Sequence, residues 1–181
     1  MGTGQMILTI LAMVLLSVVI LTMNRGLYNT NTTMAASRYD ILAVSVANSL
    51  IEDATGLRFD EVTIGAQTST SVLTSAANLG IESGESGSNP KTFDDFDDYN
   101  VYKTTPKLDT ITITGTTKKI IFNSICKVDY VTASNPNVST TTKTWHKRLR
   151  LWVYCPELRD PKTLVTDTIK LSTVFSYWYF R

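Results

Sequence analysis

The sequence predicts an α+β protein: a long N-terminal helical stem, apolar and then amphipathic, packs on a C-terminal antiparallel β-sheet. Three observations predict it. No charged residue precedes Arg25, a helical apolar stripe follows, and alternating strand-like patterns dominate after residue 108. Strands gathered after helices are typical of α+β proteins. The 181 residues therefore divide into a stem, 1–56, and one globular domain, 57–181.

The first element is an apolar run from Met6 to Met23, in which only Thr9, Ser17 and Thr22 are polar. Its length suits a membrane-spanning helix, which needs about 20 residues. Three interpretations compete: a cleaved secretory signal, a single-span anchor, and a segment first embedded in membrane and later buried in a protein assembly. The signal interpretation lacks the basic n-region that such signals carry.

The basic residues that flank this run and the composition of the rest of the chain predict opposite locations for the C-terminal part. Arg25 and Arg38 follow it and no basic residue precedes it, so the positive-inside rule would put the C-terminal part in the cytoplasm. Abundant Ser and Thr, with little Lys or Glu, indicate an extracellular surface instead. We expect a basic leader ending in Gly that is removed before Met1, or else cleavage after Gly2.

The opening from Met1 to Ile10 resembles that of mature type IV pilins and the related pseudopilins of type II secretion. In that family a glutamate stands five residues into the mature chain and an unbroken hydrophobic run follows. Here Gln5 stands at that place. The glutamate is thought to neutralise the terminal amine of a neighbouring subunit, whereas an amide only accepts a hydrogen bond from it.

The resemblance implies a structural subunit of an extracellular type IV pilus-like filament, a homo-oligomer that waits in the cytoplasmic membrane and is assembled by pilus machinery. Alternatives are a minor pilin or pseudopilin, and a membrane-anchored binding module that never polymerises. The near-neutral net charge of +1 argues against nucleic-acid binding. The expected assembly residues are Gln5, Met6, Ile7, Ile10, Leu11, Val14, Leu15, Val18 and Leu21.

Residues 24–33 form a soft segment of the stem, because Gly, Asn and Thr are poor helix formers. It is interpreted either as a loop between two helices or as a stretch that unwinds in a filament. Beyond it, the spacing predicts a helix from Met34 to Thr55 that ends at Gly56. Its apolar stripe comprises Tyr39, Leu42, Ala43, Val46, Ala47, Leu50, Ile51 and Ala54.

Acidic pairs alternate with aromatic residues from Phe93 to Asn100. Closely spaced carboxylates supply the oxygen ligands that Ca²⁺ prefers. One interpretation is therefore a calcium site, and the other is an ordered turn with buried rings and solvated carboxylates. No other cofactor is expected. The proposed ligands are Asp94, Asp95, Asp97 and Asp98. Before this stretch, a short helix is predicted from Ser71 to Leu79.

Four strands are predicted, at 109–114, 118–131, 145–155 and 169–180. A turn at Ala133–Asn137 joins the middle two as an antiparallel hairpin. Cys126 and Cys155 fall on the same face of these two strands. They are interpreted either as a disulfide or as two small core residues, and a tight turn at Pro136 would offset them too far to bond.

The sequence shows no catalytic constellation, and an enzyme is not expected. His146 is the one histidine, and no Ser or Cys nucleophile pattern accompanies it, so a surface role is expected. Asn31 and Asn137 each begin an Asn-x-Ser/Thr glycosylation sequon.

Overall fold

A computed structural model describes residues 2–87, 89–102, 110–112, 119–159 and 166–177. One α-helix, α1, spans Thr3–Thr55, and short 3₁₀ helices and strands follow. The 3₁₀ helices are Glu61–Ile64, Thr70–Val72, Pro90–Thr92 and Asp97–Val101. The strands are β1 (Thr110–Thr112), β2 (Lys119–Ile121), β3 (Asn123–Thr132), β4 (Asn135–Thr140), β5 (His146–Arg159) and β6 (Thr166–Ser176).

The first half of α1 is exposed and has the length and composition of a helix that crosses a membrane. Its few polar side chains bond to the helix itself. The Ser17 hydroxyl donates to the Met13 carbonyl at 2.8 Å, and the Thr9 hydroxyl donates to the Met6 carbonyl at 2.9 Å. Such back-bonding satisfies a hydroxyl without water. The helix continues through the soft segment, where Thr30 and Thr33 donate in the same way.

The second half of α1 lies against the sheet. Ala43, Ala47, Leu50 and Ala54 are buried, and they recur at spacings of three and four. The predicted apolar stripe is thereby confirmed. Ile41 lies off this stripe and stays 69% exposed. The helix contacts β5 and β6, so its second half covers one face of the sheet.

The main sheet has four antiparallel strands in the order β4-β3-β5-β6. β3 pairs with β5, as the sequence predicts, and Val128 lies opposite Leu149. The inward face of β2 and β3 is the predicted one. Helix followed by antiparallel sheet confirms the α+β layout. The inward residues are Ile120, Phe122, Ser124, Cys126, Val128 and Tyr130.

Several predicted boundaries need correction in the hairpin region. The residues predicted to form its turn contribute a strand, β4, because the turn itself needs only Ala133 and Ser134. Among the described strands β4 is at the edge of the sheet, which is where proline is tolerated in a strand, and this accommodates Pro136. The predicted strand 118–131 is interrupted at Phe122, which separates β2 from β3.

The helix predicted at Ser71–Leu79 is wrong apart from one 3₁₀ turn, Thr70–Val72. The backbone N–H of Thr74 donates to the Asp60 carboxylate at 3.1 Å and is therefore lost to any helix. Residues 109, 113, 114, 118 and 178–180 of the predicted strands lie outside the described residues.

The two cysteines are buried on one face, but they are offset along the strands. Cys126 lies opposite Leu151, four positions before Cys155. At about 3.3 Å per residue this offset is about 13 Å. A disulfide needs its Cα atoms within about 7 Å, so the two thiols are not bonded to each other.

Candidate functional site

The first candidate site is the exposed apolar surface of α1. All nine predicted assembly residues are exposed; they are Gln5, Met6, Ile7, Ile10, Leu11, Val14, Leu15, Val18 and Leu21. In the 18-residue window that qualifies as a membrane span, no residue is buried. Apolar patches of this extent are rare on water-exposed surfaces. This surface is therefore suited to lipid or to another protein.

Exposed apolar side chains continue beyond the length needed to cross a membrane. Leu27, Tyr28, Met34 and Ile41 are all more than half exposed. Met34 and Ile41 line a shallow groove on the helix together with Arg38. These residues lie closer to the sheet domain than the membrane-length run does.

The second candidate site is a buried cluster around Lys147, which lies in β5 with its side chain in the core. Its Nζ donates to the Phe59 carbonyl at 2.7 Å and to Asp60 Oδ2 at 2.9 Å, and it contacts Asp97 Oδ1. Lys147, Asp60 and Asp97 are fully buried. Nζ also lies 4.6 Å from the ring centroid of Phe59, and aromatic faces favour cations.

Three separate segments supply this cluster. Asp60 follows α1 and caps the 3₁₀ helix Glu61–Ile64 through its side chain. Asp97 begins the 3₁₀ helix Asp97–Val101. The two segments are tied together because the Phe96 N–H donates to the Arg58 carbonyl at 2.8 Å. β5 then brings Lys147 between them.

The aspartates of this region are held by backbone donors. Asp95 Oδ1 accepts the N–H groups of Asp97 and Asp98 at 2.8 and 3.3 Å. Asp98 Oδ2 accepts those of Asp94 and Asp95 at 3.0 and 3.1 Å. The remaining oxygens, Asp95 Oδ2, Asp97 Oδ2 and Asp98 Oδ1, are buried without a hydrogen-bond donor from the described residues.

Burial changes the protonation of these carboxyls, because a charged group loses solvation when it is removed from water. Burial, followed by the charge of Asp97, raises the pKa of Asp95 to about 9. Burial also raises the pKa of Asp97, against the opposing effect of Lys147. At that pKa, Asp95 keeps its proton at neutral pH. The pKa of Asp97 is raised as well, so burial favours the protonated form of both carboxyls.

The structure distributes the four predicted calcium ligands over different partners. Asp94 is exposed and contacts Arg58, while Asp97 contacts Lys147. Two groups of acidic side chains bring ligand oxygens within 4.8 Å of one another. They are Glu61 with Asp94 and Asp95, and Glu82 with Glu85 and Asp98. Calcium binding stays a prediction, and the four aspartates do not converge on one point.

The other predicted residues are not among the side chains that form either site. His146 Nδ1 lies 2.7 Å from the Ser176 hydroxyl on the adjacent strand β6. Asn31 and Asn137 are exposed, on α1 and β4 respectively, and their glycosylation stays a prediction. Lys147 was missed as a site residue. Its signal was a lysine on the apolar side of an alternating strand, between Trp145 and Leu149.

No family model, no curated protein and no solved structure matches this chain.

Proposed function

We propose that this chain is a structural subunit of an extracellular type IV pilus-like filament. The run from Met6 to Met23 holds it in the cytoplasmic membrane before assembly. The observation that carries the proposal is that a folded domain covers only the second half of α1, while the first half is apolar and exposed. Identical neighbours then take the place of lipid around these helices.

Helix length supports this arrangement. The 53 residues of α1 extend for about 80 Å at 1.5 Å per residue. The domain covers the helix from about Tyr39 onward, so about 50 Å of it projects beyond the sheet domain. That projection exceeds the roughly 30 Å thickness of the hydrocarbon core of a membrane.

The excess length favours a protein neighbour over a simple lipid anchor. Leu27, Tyr28, Met34 and Ile41 are exposed apolar residues that follow the membrane-length run. Fully burying a side chain of this kind stabilises an assembly by about 1.5–3 kcal/mol. In a filament, these residues pack against the stems of adjacent subunits.

The proposal is tested by electron microscopy of the sheared extracellular fraction, with the filament subunit identified by mass. We expect the full chain to form filaments there. Deleting residues 6–23 is expected to give a soluble domain that forms none. If the truncated domain polymerises alone, or if the full chain is found only in the membrane, the filament function is wrong.

A finer test separates the stem surface from the domain surface. Replacing both Met34 and Ile41 with Asn is expected to abolish filaments while leaving the chain in the membrane. The matched control is Ile64→Asn, because Ile64 is 78% exposed on the domain and off α1. If the double variant forms filaments as readily as Ile64→Asn does, the part of the stem that follows the membrane-length run has no role in assembly.

A further inference from the structure

The buried cluster around Lys147 has the components of an amide-forming reaction. An amine nitrogen contacts a carboxyl oxygen of Asp97, and a second carboxyl, that of Asp95, accepts the backbone N–H of Asp97 at 2.8 Å. Lys147, Asp95 and Asp97 have no exposed surface. Holding two reacting groups in contact replaces a bimolecular encounter and removes much of its entropic cost.

A plain ion pair leaves two features of the cluster unexplained. Asp95 Oδ2 and Asp97 Oδ2 are both buried and lack a donor among the described residues, although buried carboxyl oxygens are normally hydrogen-bonded. A proton shared between these two carboxyls supplies the missing donor. An ion pair with Lys147 alone needs only one carboxylate, and Asp60 already provides it.

The hydrogen bonds distinguish the two carboxyls that contact Lys147. Asp60 accepts hydrogen bonds from Thr74 and Tyr130 in addition to Lys147. These donors occupy both oxygens of Asp60 and hold it in place as an acceptor for Lys147. Asp97 has an oxygen without a donor, and burial favours its neutral acid form. The neutral acid is the form whose carbonyl carbon accepts a nucleophile, so Asp97 is the reactive partner.

We propose that Lys147 and Asp97 become joined by an intramolecular isopeptide bond between Lys147 Nζ and Asp97 Cγ, with Asp95 as the general acid and base. The Lys147 ammonium first gives one proton to the Asp97 carboxylate. The amine then attacks Cγ, and the new C–N bond forms. Asp95 protonates the departing Asp97 oxygen, the C–O bond breaks, and water leaves. Asp95 then takes a proton back from nitrogen.

The balance of this reaction is closed. One ammonium and one carboxylate give one amide and one water, and Asp95 ends in its starting form. No oxidant, metal or other reactant takes part. The aromatic rings of Phe59 and Tyr130, 4.6 and 5.5 Å from Nζ, keep bulk water away from the product amide.

Such a bond would connect the acidic–aromatic stretch itself to β5, an inner strand of the sheet. Residues 97 and 147 are 50 positions apart in the chain, on a 3₁₀ helix and on β5. Unlike a disulfide, an amide is not broken by reducing agents. The cross-link therefore does not depend on the cysteines, which the structure places too far apart to bond.

The test is intact-mass spectrometry of the full chain, extracted in detergent and then denatured and reduced. We expect wild type to weigh one water molecule less than its sequence requires. After trypsin, we expect residues 92–103 to be joined to residues 144–148, because the modified Lys147 no longer permits cleavage. A folded wild-type chain of full mass, with both peptides separate, would overturn the proposal, as would a cross-link to Asp60.

Variants assign the roles. Lys147→Arg and Asp97→Ala are expected to show no loss of water. Lys143→Arg is the matched control and is expected to keep the cross-link, because Lys143 is outside the core and donates to the Ser71 carbonyl. Asp95→Asn keeps both reacting groups, and pulse–chase labelling is expected to show its cross-linked band forming at least tenfold more slowly. An unchanged rate in Asp95→Asn would remove Asp95 from the reaction.

Discussion

The two halves of α1 share one secondary structure and differ in what surrounds them. The first half has large apolar side chains on every face, and all of them are exposed. The second half has one apolar stripe, and the sheet domain covers it. Hydrophobicity alone therefore does not identify a core helix. A polar face indicates a helix at the surface of a domain, and its absence indicates an environment without water.

The covered half also uses smaller residues. Ala43, Ala47 and Ala54 have no exposed surface, whereas Leu, Ile, Met and Val dominate the first half. Small side chains let a helix approach a sheet closely and leave the volume to the facing residues. The second half is therefore shaped for one fixed partner, the sheet of its own chain.

We expect the largest difference between the two halves when an alanine is replaced by aspartate in each of them. Ala47→Asp buries an unpaired charge and is expected to destabilise the domain by about 3–5 kcal/mol. Ala12→Asp is expected to leave domain stability unchanged, because Ala12 is exposed, and to impair membrane insertion at a cost of about 2.5–3.5 kcal/mol. Thermal unfolding measures the first effect and membrane fractionation the second. Equal loss of domain stability in both variants would contradict the division of α1.

A change of pH is expected to act on the domain and not on the apolar run, which has no titratable side chain. The pKa of Asp95 is raised by burial from 3.8 to about 9, so the folded state binds more protons than the unfolded state between these values. The contribution of Asp95 to the free energy of unfolding is therefore complete below about pH 4, and it is lost as the pH rises to 9. The direction holds with or without the amide, because burial is the largest cause.

Unfolding of the domain between pH 5 and 9 checks this expectation. Wild type is expected to melt at lower temperature as the pH increases, and Asp95→Asn to show a smaller slope. Membrane association of the chain is expected to stay constant over the same range. A melting temperature that increases steadily to pH 9 in wild type alone would show that Asp95 is not protonated in the fold.

The smallest expected effect concerns the soft segment that joins the halves. A Cβ added at Gly26 meets no atom within 4 Å, so Gly26→Ala is expected to stabilise the helix by about 1 kcal/mol without changing the monomer.

In a filament the soft segment is expected to be non-helical, since unwinding its residues costs less free energy than unwinding the rest of the stem. Replacing Gly26, Asn29, Thr30, Asn31, Thr32 and Thr33 with Ala should therefore impair assembly. Cryo-electron microscopy showing unchanged filaments from that variant, or continuous helix through 24–33 in wild type, would contradict this.

The sequence predicted the elements that depend on regular periodicity. The stripe from Tyr39 to Ala54 and the inward face from Ile120 to Tyr130 follow directly from spacings of three and four and of two. β4 was missed because Asn135 and Pro136 are typical turn residues, and an edge strand tolerates them. The helix at Ser71–Leu79 was wrong because a carboxylate far away in the chain, that of Asp60, accepts its backbone donor.

The buried cluster around Lys147 could not be predicted from local sequence patterns. The acidic–aromatic stretch was recognised, but its interpretation as metal ligands assumed that all its carboxylates share one environment. The fold instead directs Asp94 outward to Arg58 and Asp97 inward to Lys147. That distinction depends on the contact between two segments 50 residues apart, which no local spacing reports.

The order of the elements along the chain also determines how long α1 waits during synthesis for the strands that cover it. The stripe of α1 is covered by β5 and β6, which are made about 100 residues later. At 5–20 residues per second, the ribosome takes roughly 5–20 s to supply them. During that interval the apolar run has already emerged, while the stripe beside it lacks its partner. Early coverage of the run, by lipid or by another protein, therefore leaves only the stripe exposed until β5 and β6 are made.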